Sequence, residues 1–170
     1  PEIMAKVGIR LAQEYGVSVV DINFGCPVKQ VTEKAHSGSY LLRDPERMYA
    51  IISRLVEVCY PTPVTAKIRL GCTRKTMNHI QIAQTVERAG ASALTVHGRT
   101  AEDFFKGSAD WNRLAEGTAP WEQIPLIRNG DLQPPDQAVP AFHPCKVGGA
   151  RTARAAQGWQ RLCAHACQRP

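Results

Sequence analysis

A helical pattern followed by a short apolar strand pattern occurs five times along this chain, and no other feature constrains its fold as strongly. Pro1 to Tyr15 reads as a helix, with Ile3, Val7 and Leu11 four apart on one face and Gly16 as its stop. Val17 to Ile22 reads as the first strand; Val17, Val19, Val20 and Ile22 are β-branched and suit the buried middle of a parallel sheet. Val28 to Arg43 is polar and reads as a long loop. Asp44-Pro45-Glu46 then starts a helix, with a cap, a proline at the first position and an acid at the positive end of the dipole. That helix runs to about Cys59, turns Met48, Ile52, Leu55 and Cys59 inward, and stops at Pro61 and Pro63. Strand patterns follow at Val64 to Leu70, Ala93 to His97 and Pro125 to Ile127, separated by helical patterns at Asn78 to Ala89 and Trp111 to Glu116. A further helix begins near Pro134, and Val147 to Arg154 holds the position of a last strand.

Alternation of this kind calls for a parallel sheet with right-handed crossovers. An open doubly wound sheet and part of a (β/α)8 barrel both satisfy it. The strand ends discriminate. Asn23 and Cys26, Lys67 and Arg69, His97 and Arg99, Asn129 and Asp131, and Arg154 stand at consecutive strand tips. An open sheet gathers its site at one switch point; polar groups at every tip suit a ring around one ligand. The expected fold is therefore α/β, a partial (β/α)8 TIM barrel of about five βα units.

With 170 residues the chain can bury one core, and 44% hydrophobic with 21% charged residues is ordinary for a globular protein. There is no run of about 18 apolar residues, which argues against a membrane helix. The formal net charge of +6 is compatible with a polyanion such as RNA and does not demand one. Six cysteines without a CxxC pair fit a reducing cytoplasm better than a disulfide scaffold. Cys163, His165 and Cys167 lie close together, but at a spacing that matches no common zinc pattern, so no metal site is expected.

The stretch VSVVDINFGCPVKQ, Val17 to Gln30, holds the most chemistry. A strand runs into Phe24-Gly25-Cys26-Pro27, where Gly25 can adopt angles closed to other residues and Pro27 fixes the exit. The turn would present the Cys26 thiol at the sheet's mouth. From these residues alone, a small buried loop cysteine explains Cys26 equally well. Asn23 reads either as a ligand group or as a turn cap, Lys67 as a site cation or a solvated strand-end lysine, and His97 as a ligand or a core histidine.

The strings DINFGCP, KIRLG, HGRT and NGD, in this order and at these intervals, resemble the tRNA-dihydrouridine synthase family, most closely its bacterial B-type branch. The likeness is good over roughly Pro1 to Cys145 and poor beyond. It implies an FMN-binding (β/α)8 barrel that reduces the C5–C6 bond of uridines in tRNA with NADPH, in a protein that is monomeric, not membrane-bound, in its full-length form. Cys26 matches the family's proton donor and Lys67 its flavin-binding lysine. His97 would touch flavin or uracil, and Asn23, Arg69 and Arg99 would serve the substrate. Asn129, Gly130 and Asp131 match the loop that holds the FMN ribityl and phosphate, and Ala153 and Arg154 fall where the family has a Gly-Arg phosphate clip.

The resemblance also implies that the family's first three strands and its tRNA-gripping helical domain lie outside residues 1–170. These residues then form one truncated domain, with 145–170 degenerate, where Gly148, Gly149, Arg151 and Thr152 replace an apolar strand. Alone, the polypeptide is expected not to close a barrel and to bind FMN weakly or not at all, and so to be inactive. Two other functions fit less well: an FMN barrel oxidoreductase acting on a free pyrimidine, and a non-catalytic tRNA-binding remnant using Lys29, Lys34, Arg99 and Lys106.

Overall fold

The computed structural model describes residues 1–116, 124–131 and 149–151. Its centre is one parallel sheet of five strands in the order β1 (Val20–Asn23), β2 (Val64–Arg69), β3 (Ala93–His97), β4 (Leu126–Asn129) and β5 (Gly149–Arg151). Helices α1 (Glu2–Ile9), α2 (Pro45–Cys59), α3 (His79–Arg88) and α4 (Trp111–Glu116) alternate with the strands. Consecutive strands are neighbours and all pairs are parallel, as successive βα units of a barrel wall require.

Strand alternation sorts the residues into two layers. Val20, Ile22, Val64, Ala66, Ile68, Leu94, Val96 and Leu126 are buried, in one core with Met48, Ile52 and Leu55 of α2 and Ile82, Ala83 and Val86 of α3. The opposite layer carries Asn23, Lys67, Arg69, Thr95, His97 and Asn129. Arg128 belongs to the helix side, where its guanidinium lies 5.4 Å from the Trp111 ring of α4.

Helix α2 forms as its sequence dictates. The Asp44 carboxylate accepts the Arg47 N–H at 3.0 Å, Pro45 opens the helix, and the expected apolar face is buried. Several expectations need correction. The first strand begins at Val20, not Val17, because its Val20 N–H bonds the Pro63 carbonyl at 3.0 Å and Pro63 has no N–H to extend the ladder backwards. Val19 is consequently exposed. The fourth strand runs on to Asn129, held by its register with His97. Of the apolar face expected for the first helix only Leu11 packs against the core: Ile3 is 80% exposed and Val7 48%, whereas Ala5 and Gly8 are buried. Packing decides this. A Cβ on Gly8 would fall 2.4 Å from Leu55 Cδ2, so α1 meets α2 at its smallest residues. After Ile9 the helix loosens into one π turn, Arg10–Glu14.

The segment 28–43 is not an open loop. It contains a π turn, Gln30–Lys34, and a 3-10 turn, Gly38–Arg43, whose Leu41 and Leu42 are buried. Gly25 does not use a left-handed backbone; in this segment Gly38 does, with φ +59°. The position expected for the last strand is one, β5, in register with β4 from Ile127↔Gly149 to Asn129↔Arg151. The helix expected near Pro134, the Cys163–His165–Cys167 group, and Ala153 and Arg154 lie outside the described residues.

Candidate active site at the strand tips

The carboxyl ends of β1 to β4 deliver the site. Arg69, His97 and Asn129 are register partners in one row, and Asn23, Lys67 and Thr95 form the row below. Parallel neighbours in register share a face, so these side chains rise on the same side of the sheet.

The Cys26 turn is fixed from both sides. Asn23 Oδ1 accepts the Gly25 N–H at 2.9 Å and the Cys26 N–H at 3.1 Å. Asn23 thus caps the turn with its oxygen, leaving Nδ2 without a partner among the described residues. The Cys26 carbonyl accepts two bonds from Ser39, from the N–H at 3.0 Å and from Oγ at 2.9 Å. Gly38 makes that clamp feasible, since a Cβ there would stand 2.7 Å from the Cys26 carbonyl oxygen.

Arg69 joins this turn to the next loop but one. It is buried; Nε donates to the Gly25 carbonyl at 2.8 Å, and Nη1 to the carbonyls of Thr100 and Phe104 at 2.9 and 2.7 Å. Burial pushes its pKa down, as does Arg99; Cys26 and Asp103 lie within electrostatic reach and oppose them. Cys26 therefore stands beside the cationic cluster. Lys67 Nζ approaches the same turn, 3.6 Å from where a Cβ on Gly25 would be. Phe105, largely exposed, lies against Arg69 and His97, 5.5 Å from the guanidinium and 6.4 Å from the imidazole centre.

His97 is 6% exposed. Burial, with Arg69, Lys67 and Arg99 around it, pushes its pKa down to about 3, against a smaller pull from Asp131. The imidazole is neutral at physiological pH. Arg99 is also buried, and its fork is occupied: Nε by the Lys106 carbonyl, Nη2 by Gly107 and Asp131, and Nη1 by His97 Nε2 at 3.2 Å. It is therefore not a surface contact for a polyanion. Asp131 accepts from Arg99 at 2.7 Å and from the Ala109 N–H at 2.5 Å. Its burial works against ionisation, but these bonds hold its pKa below the usual carboxylate range. Gly130, with φ +114°, turns the chain there, and a Cβ would strike the His97 ring at 2.9 Å.

The strand tips thus bring Lys67, Arg69, Arg99 and Asp131 around a neutral histidine, with Cys26 alongside. Lys67, Arg69 and Arg99 supply the positive charge of this cluster, facing Asp131 and, across the loop after β3, Asp103. Asn129 and Gly130 border the same cluster. Sequence reasoning missed Ser39, which meets Cys26 from thirteen residues away with no local signature. It also missed Asp103, which receives the Thr100 hydroxyl at 2.6 Å and an Arg74 ion pair at 3.0 Å. Among the described residues no group of His, Cys, Asp and Glu could hold a metal, and no helix is long and apolar enough to cross a membrane.

A parallel α/β sheet of successive βα units with its polar groups at the strand tips defines a protein of the (β/α)8-barrel class. In accord with this, N-acetylneuraminate lyase from Mycoplasma synoviae superposes with a TM-score of 0.59 over 95% of this chain and 52% of that one; at 14% identity the likeness concerns the fold alone. The sequence carries the assignment further. The family model for dihydrouridine synthase matches residues 1–169, reaching well beyond Cys145, and the chain belongs to that family. It is 38% identical to tRNA-dihydrouridine synthase B of Pseudomonas aeruginosa over 158 residues, 93% of this chain and 46% of that protein. The Pseudomonas putida protein of the same name is 40% identical over 85% of this chain and 42% of its own length. A probable tRNA-dihydrouridine synthase of Rhizobium leguminosarum is 34% identical over 88% and 46%. The chain spans somewhat less than half the length of these relatives.

Proposed function

We propose that these residues form the reducing half of a tRNA-dihydrouridine synthase site, which uses FMN and NADPH to saturate the C5–C6 bond of a tRNA uridine. One observation carries the reading: the Cys26 turn and the Lys67–Arg69–His97 cluster meet at the same strand tips.

The residues fit a flavin mononucleotide, because the Lys67 ammonium reaches the Gly25 turn beside a buried, neutral His97, and the Gly130 backbone passes so close to that ring that a Cβ would strike it. Lys67, His97 and the Asn129–Asp131 turn would hold it, with Ala153 and Arg154 at its phosphate. Reduced FMN, when bound, supplies a hydride to C6 of the uracil ring. The protein's own residues do the rest. Cys26 Sγ gives its proton to C5, which completes the saturated bond and leaves a thiolate for solvent to reprotonate. Arg69 and Ser39 keep the turn in place by holding the carbonyls of Gly25 and Cys26. Asn23 Nδ2 is free to donate to a uracil carbonyl. A neutral His97, whose Nε2 accepts from Arg99 Nη1, carries its proton on Nδ1 and can donate one hydrogen bond from there without adding to the charge. Arg99 acts through Asp131 and the 106–107 carbonyls, fixing the loop after β3.

The test is dihydrouridine content, by mass spectrometry, of an unmodified tRNA incubated with the full natural chain carrying these residues, FMN and NADPH. The wild type is expected to form it, and Cys26→Ala to lower the rate by at least about a hundredfold. A Cys26→Ala enzyme as fast as wild type would refute the assignment of the proton donor.

A further inference from the structure

A cleft of about 200 Å³ opens on the outer flank of the Cys26 turn. Pro27, Ser39, Tyr40, Arg43, Cys72 and Phe104 are among the residues that wall it. Three of these belong to the site's own framework. Pro27 follows Cys26 directly, Ser39 clamps the Cys26 carbonyl, and the Phe104 carbonyl receives Arg69.

Arg43 sets the chemistry of this cleft. Its guanidinium carbon lies 5.1 Å from the centre of the Tyr40 ring, and Tyr40 is itself stacked on His36 with centroids 4.7 Å apart. Arg43 Nε donates to Cys72 Sγ at 3.4 Å. The guanidinium is thus oriented by two contacts that leave its terminal nitrogens unused. Among the described residues neither Nη1 nor Nη2 has a partner, and no carboxylate pairs with Arg43. The acids in the wall are engaged elsewhere: Glu33 faces Lys29 at 3.9 Å, and Glu102 receives the Arg74 N–H at 2.5 Å. A permanently charged planar fork, held in place with its outer edge open, matches a phosphate oxygen pair. A polynucleotide whose uridine reaches Cys26 must also lead its strand away past one flank of that turn.

We propose that this cleft is a subsite for the RNA strand, in which Arg43 grips a phosphodiester next to the uridine that faces Cys26. The proposal rests on the uridine-reducing reading above. The shared chemistry is a phosphate, which a nicotinamide dinucleotide could also bring, so the test separates the two sources.

Binding of an unmodified tRNA transcript is measured across a salt series with the FMN-loaded full natural chain, as wild type, Arg43→Gln, Arg43→Lys and Cys26→Ala. The rate of flavin reduction by NADPH is recorded for each. Arg43→Gln should bind tRNA about tenfold more weakly and lower the slope of log affinity on log salt by about 0.7 to 0.9, the value of one phosphate contact. Arg43→Lys should retain the slope, and Cys26→Ala should bind as wild type. Unchanged affinity and slope in Arg43→Gln would overturn the subsite. So would a loss confined to the NADPH step, which would assign the cleft to the dinucleotide. If that variant binds normally while wild type still makes dihydrouridine, only the subsite falls; if wild type neither binds tRNA nor makes dihydrouridine, the functional reading falls with it.

Discussion

His97 shows how much one residue's surroundings decide. In sequence it is one histidine at a strand end; in the fold it is buried, with Lys67, Arg69 and Arg99 close by. Its pKa of about 3, below the ordinary histidine value of 6.5, makes the unfolded chain bind the extra proton between those values. Stability from this group is therefore complete above about pH 6.5 and is lost progressively as pH falls toward about 3. Asp103 and Asp131, whose pKa values are lowered, add to the loss only at more acid pH. His97→Asn should accordingly flatten the dependence of the urea midpoint on pH between about 4.5 and 6.5. A variant that loses stability as steeply as wild type across that range would show that another group controls it. None of this was legible in the sequence, because the three cations come from β2 and from the loop after β3, and only the fold sets both beside His97.

At the scale of elements, legibility followed locality. Helix α2 and strand β3 are written in adjacent residues: a cap and proline for one, the short run ALTVH with its three apolar residues and closing histidine for the other. Asp44→Ala should cost about 1 kcal/mol in thermal or denaturant unfolding, the usual value for a lost cap; no change would mean that Pro45 alone sets the start. Elements fixed by distant partners were harder to read. The start of β1 depends on Pro63, and the buried face of α1 depends on Leu55 and Cys59 across the helix pair. The segment 28–43 looked like a loop because its polar surface hides Leu41 and Leu42. Its Gly38 tests the clamp directly. Gly38→Ala imposes a left-handed backbone on alanine and a collision with the Cys26 carbonyl. It should cost at least about 1–2 kcal/mol and change the alkylation rate of Cys26 by iodoacetamide several-fold. An unchanged rate would show that the 3-10 turn does not position the thiol.

For the whole molecule, the candidate site was legible as a set of strand tips but not as a division of labour. Asn23, Arg69 and Arg99 looked like ligand groups, yet each spends hydrogen bonds on the loops around Cys26 and His97. Among the described residues β1 pairs only with β2 and β5 only with β4, so the sheet has two open edges. Open edges invite pairing between chains. The 170-residue polypeptide made alone should therefore associate or precipitate and bind FMN far more weakly than the full natural chain, as light scattering and flavin titration would show. A yellow, stable monomer would contradict that. The central claim is that electron delivery and proton delivery are separate duties of one cluster, with the proton assigned to Cys26. It is tested most directly by stopped-flow absorbance of the flavin in the full natural chain bearing Cys26→Ala. The account predicts NADPH-driven bleaching at the wild-type rate, followed by no reoxidation on mixing with tRNA. Reoxidation by tRNA at the wild-type rate would contradict it.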